Sequence, residues 1–435
     1  PPPPTEIYTN TESSAASDVY KRQNQAMEEL NLERQEAPLR RLMGPGPLDV
    51  HPRVYKALSS PVIGYMDPVY LKVLDRIGEL LPPVFGRKGG ITNAMPGTGS
   101  SGMEAAVANL LEPGDRVLVC AHGYFGDRVR QMAERQEAEV TVIEEEWGKP
   151  TDPQKVEAAL QQKSYKLLTV VHAETSTGVL QPMDDIAQLA REYGTMLFLD
   201  TVSSLGGIEI KVDKWGVDAC FSCSQKCIGC PPGLAPITFS DRAVEAVKNR
   251  KSAVRSWYLD LSLIEKYWGS ERVYHHTSSS TLNYALLEAL LLIHEEGLHV
   301  RFTRHLKNHK ALVAGIEAMG LKMLVDPQYR LPTLNTVVIP DGVDDIKLRR
   351  YLLEKFKLDI GGGFGHLAGK VWRVGLMGYS SSADNVMFFI PAISRALAVQ
   401  GIKTDLSAGL DAVLTELDGN GIDAAAAEAK KIAAA

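Results

Sequence analysis

The sequence has no apolar run approaching the ~18 residues that would cross a bilayer, and no basic-then-apolar leader at its start. It also lacks a surplus of positive charge. Against 47 Lys and Arg stand 53 Asp and Glu, a formal balance of −6, so nucleic acid is a poor partner. Cysteine is scarce: there are five, an odd number, four of them crowded between Cys220 and Cys230. That is no disulfide framework, and a reducing, cytoplasmic compartment is expected, with peroxisome or mitochondrion as alternatives. The final residues are Ala-Ala-Ala and not a Ser-Lys-Leu address. What is present is 435 residues, 45% apolar and 23% charged, an ordinary globular composition long enough for two or three cored domains.

Residues 1–40 open on Pro1 to Pro4 and continue in a polar stretch with too few apolar positions to build a core; they are expected to be an arm or leader. Beyond them strand and helix alternate. Arg116–Cys120, Val140–Ile143, Leu167–Val171 and Met196–Leu199 are short apolar runs, with Phe221–Ser224, Leu234–Phe239 and Ile91–Met95 as weaker ones. Near-continuous apolar runs suit strands buried on both faces of a mainly parallel sheet. Between them Ile186, Leu189, Ala190 and Tyr193 mark a helix stopped by Gly194. This predicts an α/β doubly wound large domain over 41–295, whose ligands sit beyond the carboxyl ends of the strands. A second rhythm follows, with helices at Ala285–Ile293, Val300–Met319, Asp345–Phe356 and Ala383–Leu397, and strands at Thr336–Ile339 and Val371–Val374. It predicts a smaller α+β domain over 296–402, Pro391 kinking the last helix or ending its first half, and an Ala-rich tail with little packing over 403–435.

Gly97-Thr98-Gly99-Ser100-Ser101-Gly102 reads G-x-G-x-x-G before the helix-like Met103–Leu111. Glycines let a backbone approach an anion that the first helical turn then holds. The dinucleotide fingerprint also wants a strong strand before it and an acid closing the next strand. Neither is present, so a phosphate cradle of another kind or a plain helix cap is the better reading. Asp200 closes a buried strand, where a carboxylate must meet a cation or donors. Lys226 lies among Cys, Ile, Gly and Pro, where desolvation would lower its pKa and free the amine for a Schiff base. The ordered series of anion cradle, aromatic pair Tyr124–Phe125, Asp200 and Lys226 meets the needs of pyridoxal phosphate.

Competing readings attach to other residues. Cys220, Cys223, Cys227 and Cys230 have metal-like spacing; an extended 220–224 would instead put the first two on opposite faces, and small buried apolar cysteines are expected. His275 and His276, adjacent on a strand, would face opposite ways and not chelate. Arg373 in an apolar strand needs a partner: a substrate carboxylate or an internal salt bridge.

Leu42–Pro47, Gly97–Glu104, His172–Gly178, Asp200–Gly207, Ser224–Lys226, Tyr274–Thr277 and Gly369–Gly375 together resemble the alanine–glyoxylate/serine–pyruvate aminotransferases, class V enzymes of pyridoxal-phosphate fold type I. The resemblance spans about residues 40–400. It implies a large domain with a mainly parallel seven-stranded sheet between helices, plus a smaller α+β domain. It implies that Lys226 holds the cofactor aldehyde and acts on the substrate proton, and that Asp200 pairs with the ring nitrogen, beside Val202. Phe125 stands where the family carries a stacking tryptophan, Thr175 near the phenolic oxygen. Thr98, Gly99, Ser100 and Gln225 would hold the phosphate, joined by Tyr274 and Thr277 of a second subunit in a homodimer. Arg373 and the Gly46 backbone would take the substrate carboxylate, with Tyr65 lining the entrance.

The activity implied is ping-pong transfer of an amino group from a small amino acid, L-alanine first, to glyoxylate, through pyridoxamine phosphate. Serine–glyoxylate, serine–pyruvate and ureidoglycine–glyoxylate exchange are the alternatives within the family. Tyr65 and Ser278 are not the amides expected of ureido-recognising relatives. A cysteine desulfurase would need a reactive cysteine in the small domain, and none follows Cys230. A non-catalytic metal protein built on the four cysteines is the alternative of another class.

Overall fold

A computed structural model describes residues 21–22 and 36–419 of the chain. The expected arm is therefore almost wholly outside the described residues, as is 420–435 of the expected tail. From Arg41 to Gly419 the chain forms one compact unit with two main sheets.

The apolar runs of the first half become β1 (Ile91–Pro96), β2 (Arg116–Ala121), β3 (Glu139–Glu144), β4 (Leu167–Val171), β5 (Met196–Asp200), β6 (Ala219–Phe221) and β7 (Leu234–Phe239). Their order is β3-β2-β4-β5-β6-β7-β1, and only β7 runs antiparallel to its neighbours. Every residue of β4 and β5 is buried, as strands covered on both faces require. Successive side chains feed opposite cores: Leu118 and Cys120 join one apolar cluster, Val117 and Val119 the other.

The first cluster is closed by α1 (Pro68–Phe85), the second by α2 (Gly99–Leu110) and α3 (Tyr124–Arg135). α1 starts where Asp67 accepts from the Val69 N–H and Pro68 takes the first helical position, and stops at left-handed Gly86. α4 (Ser280–Glu296) returns Leu286, Leu290 and Ile293 to the first cluster; each such side chain contributes roughly 1.5–3 kcal/mol when buried.

α5 (Leu298–Ala318) leads into the second sheet of β8 (Lys322–Met323), β9 (Leu334–Val338), β10 (Gly361–Gly362) and β11 (Val371–Gly375), in the order β8-β9-β11-β10 and antiparallel throughout. With α6 (Asp345–Phe356), α7 (Ala383–Val399) and α8 (Leu406–Asp418) it surrounds its own core, in which Trp372 is fully buried. The segment at Arg41–Leu42 is bonded to this side, pairing in parallel with Leu358–Asp359, while Gly375 N donates to Met43 O at 2.7 Å.

Three expectations change. α7 does not end at Pro391, the second of the two outcomes expected there, but continues to Val399: the missing N–H costs ~3 kcal/mol, but Phe389, Ile390, Ala392, Ile393 and Leu397 are all buried around it. The expected tail begins too early, because Leu406, Leu410, Val413 and Leu417 form a helical stripe against the core of the second sheet. The strand expected over Phe221–Ser224 ends as β6 at Phe221, although the Ser222 and Ser224 N–H groups still bond Pro236 O and Leu234 O of β7.

Candidate active site

The strand ends bring the expected residues together. Asp200 closes β5 with 2% exposure; its Oδ1 accepts from the Val202 N–H at 2.8 Å, and Oδ2 has no partner among the described residues. Burial pushes this carboxyl up to about 7, against the Val202 N–H; the Glu174 charge adds to the rise, while Lys226 and Arg128 oppose it. A buried acid in that state lacks one thing, a cation on its free oxygen.

Lys226 sits in the loop between β6 and β7, 7% exposed. The loop is fixed by Ser224 Oγ donating to Pro231 O at 2.6 Å and by Cys230 N donating to Ser224 O at 2.9 Å. The lysine Nζ donates to Pro45 O. Burial lowers its pKa, and Arg373 acts in the same direction, while Cys223, Cys227 and Asp200 oppose the shift; the environment thus favours the free amine more than water does. Gly46 (φ 107°) lies against the side chain: a Cβ there would stand 2.7 Å from Lys226 Cδ.

All five cysteines are unpaired and buried. Burial pushes the thiols of Cys220, Cys223 and Cys227 up to about 12, and the first and third turn to different partners, Thr201 and Ser203. Among the described residues no group of three or more His, Cys, Asp or Glu is placed to hold a metal ion.

α2 starts beside both groups. A Cβ on Gly99 would meet Cys223 Cβ at 2.9 Å and Val202 Cγ2 at 3.5 Å, so the glycine lets the helix N-terminus abut the Asp200 and Lys226 loops. Thr98 is its N-cap and makes no side-chain capping bond, and buried Gln225 Oε1 has no partner. Phe125 is the second residue of α3, whose first turn is capped from outside: Glu174 Oε2 accepts from Phe125 N at 3.2 Å and Ser176 Oγ from Tyr124 N at 3.0 Å. Thr175 is bonded to Ser203 through their hydroxyls. Unpaired polar atoms, a helix N-terminus, a ring, an acid and a free amine converge, and they fit pyridoxal phosphate.

Arg373, 3% exposed, donates to Gly362 O at 2.7 Å and Thr175 O at 3.1 Å, with its guanidinium carbon 3.9 Å from the Phe364 ring centroid. Burial pushes it down to about 10. Among the described residues it forms no ion pair, which favours the substrate-carboxylate reading over the internal salt bridge.

Tyr65, Tyr274 and Thr277 are not brought to this group. Tyr65 and Tyr274 pack against each other with tilted rings, centroids 4.9 Å apart, Tyr267 donates to Tyr65 O at 2.9 Å, and Tyr274 and Thr277 are exposed. The strand geometry expected for His275 and His276 is wrong. They lie in an irregular segment and turn together, Nδ1 to Nδ1 at 2.8 Å. Sequence reasoning missed Pro45, Arg128, Glu174 and Phe364 as parts of the site; only the polar run after β4 signalled Glu174. A cavity of about 560 Å³ elsewhere, lined by His172, Trp215, Phe302 and His309 among others, contains none of the expected residues.

Comparison with known proteins gives a consistent picture. The family model for aminotransferase class-V matches residues 95–384. The (S)-ureidoglycine–glyoxylate transaminase of Bacillus subtilis (strain 168) is 37% identical over 406 residues, 89% of this chain and 98% of that one. The alanine–glyoxylate aminotransferase of Drosophila melanogaster is 40% identical over 377 residues, 85% and 96% of the two chains. The crystal structure of alanine–glyoxylate aminotransferase from Nostoc sp. superposes with a TM-score of 0.83 at 49% identity, over 84% of this chain and 97% of that one. A cysteine desulfurase from Thermococcus onnurineus, at 15% identity and a TM-score of 0.63, shares the fold alone.

Proposed function

Since the chain belongs to the class-V aminotransferases, enzymes that depend on pyridoxal phosphate, we propose that it moves the amino group of a small amino acid, L-alanine first, to glyoxylate, giving pyruvate and glycine. The observation that carries the substrate class is Arg373, a buried cation that forms no ion pair among the described residues, although the Glu174 charge reaches it, and that is close enough to Lys226 for their charges to interact. The Nostoc and Drosophila relatives, named for alanine and glyoxylate, support the choice. The Bacillus relative supports a second reading, ureidoglycine as donor. Against it, Ser278 is no amide, and its Oγ is already engaged by Tyr70 and Asn283.

When bound, the cofactor supplies an electron-withdrawing ring that stabilises negative charge at the substrate α-carbon. The chain does the rest. Asp200 would pair its carboxylate with the protonated ring nitrogen, an opposite charge that would draw its own pKa back down. Phe125 would cover the ring, and the α2 N-terminus with Thr98, Ser100 and Gln225 would hold the phosphate. The Arg373 fork grips the α-carboxylate and so fixes which substituent of the α-carbon faces Lys226. Lys226 Nζ takes that proton and returns it.

We place Tyr274 and Thr277 in the site of a second copy. Exposed Tyr274 is accompanied by exposed Trp257, Tyr258 and Val273, an apolar surface suited to a homodimer. The five unpaired cysteines support a reducing, cytoplasmic setting.

Lys226→Ala is expected to remove the visible absorbance of lysine-bound cofactor and all turnover. Arg373→Ala should raise the KM for alanine and glyoxylate roughly 10- to 100-fold, as loss of a charge-assisted fork implies. A coloured Lys226→Ala protein, or unchanged KM values for Arg373→Ala, would overturn these roles. A panel of alanine, serine and ureidoglycine against glyoxylate ranks the donors.

A further inference from the structure

Ser100 and Phe125 belong to different helices, and a single side chain reaches both. Arg128 stands one turn beyond Phe125 on α3, so the two share a helix face. Its Nη1 donates to Ser100 Oγ at 3.2 Å. Its guanidinium carbon lies 4.8 Å from the Phe125 ring centroid and 5.2 Å from that of Tyr124. It is near enough to Asp200 for their charges to interact.

The same helix offers carboxylates, and another arginine takes them: Arg130 bonds Asp127 and Glu134, each at 2.6 Å. Arg128 forms no ion pair among the described residues. An arginine held by one neutral hydroxyl and an aromatic face keeps most of its fork and all of its charge available.

The cradle needs that charge. A phosphate monoester carries about −1.5 to −2 near neutrality, whereas a helix N-terminus supplies the equivalent of roughly +0.5. Thr98, Ser100 and Gln225 add donors but no charge. Lys226 is committed to the aldehyde, and Arg373 is turned toward Thr175 and Phe364.

We propose that Arg128 is a cofactor-positioning residue that carries the counter-charge for the phosphate at the α2 N-terminus, held in place by Ser100 and by its stacking on Phe125. The proposal rests on the function given above and adds to it one residue. Because a cation at this point acts on the phosphate, it should be felt by pyridoxal phosphate and not by pyridoxal.

The test is titration of wild-type, Arg128→Met and Arg128→Lys apoproteins with pyridoxal phosphate and with pyridoxal, read by lysine-bound absorbance and by protein fluorescence. Arg128→Met is expected to weaken pyridoxal phosphate roughly 10- to 100-fold and to leave pyridoxal within about twofold, so retained pyridoxal binding also reports an intact fold. Arg128→Lys should recover most of the loss, since it keeps the charge. Inorganic phosphate should compete with pyridoxal phosphate less well in Arg128→Met than in wild type. Equal weakening of both vitamers, or no weakening of either, overturns the proposal. Failure of the wild-type protein to form the lysine-bound band at all would instead overturn the function on which it rests.

Discussion

Asp200 shows what a single residue contributes before any ligand arrives. Its carboxyl, ordinarily near 3.8, is held by burial at about 7, so the folded apoprotein keeps a proton there that the unfolded chain gives up. Stability from this group is therefore full below pH 3.8, falls as pH rises from about 4 to 7, and is flat above that, by at most about 4 kcal/mol. Asp200→Asn removes the titration. The melting temperature of wild-type apoprotein minus that of Asp200→Asn should thus shrink between pH 4.5 and 7.5, and a constant difference would contradict the burial argument. Residues of this kind were legible in sequence because their chemistry is written locally: an acid at the end of an apolar strand, a lysine in an apolar loop. Glu174 and Arg128 were not, because each acts on a partner from another element. Glu174 caps α3 from the segment after β4, through a space that Gly123 keeps open, where a Cβ would come within 2.3 Å of its Cγ. Arg373 stood between two readings because a strand position does not say which charges lie across from it.

At the scale of elements, glycine has opposite meanings in two helices. In α1 nothing stands within 4 Å of a Cβ on Gly78, so Gly78→Ala should stabilise by up to ~1 kcal/mol through reduced backbone freedom. In α5 a Cβ on Gly315 would meet Val413 Cγ2 at 2.5 Å, Ile390 Cδ1 at 2.8 Å and the Gly409 carbonyl at 3.2 Å. There the same substitution gains the same propensity but overpacks the crossing with α8, a cost of roughly 1–3 kcal/mol, and the net effect should be destabilising. Differential scanning calorimetry of the two variants should show a rise in melting temperature for the first and a fall for the second. Periodicity found the seven strands of the large sheet and the helices α2, α4, α5, α6 and α7, since a 3.6- or 2-residue repeat is a local record of burial, but it did not mark α1 or α3. It failed at Pro391 and at α8, where a local rule was outweighed by the surface each helix buries against its neighbours.

For the whole molecule, the separation of Tyr274 and Thr277 from Lys226 sets a test of shared sites. If each site takes these two residues from a second copy, a Lys226→Ala chain and a Tyr274→Ala/Thr277→Ala chain are each inactive alone. Their heterodimer holds one site with both sets intact. Unfolding, mixing and refolding the two chains should restore up to half of wild-type turnover per heterodimer; no recovery would place each site within a single chain. The Pro45 carbonyl that holds the Lys226 amine lies in a bend just after the short strand at Arg41–Leu42, and Met43 between them bonds Asp359 and Gly375, beside Arg373 on β11. The amine and the proposed anchor of the substrate carboxylate are thus moored to one short stretch of backbone, so a change in that stretch would be felt at both.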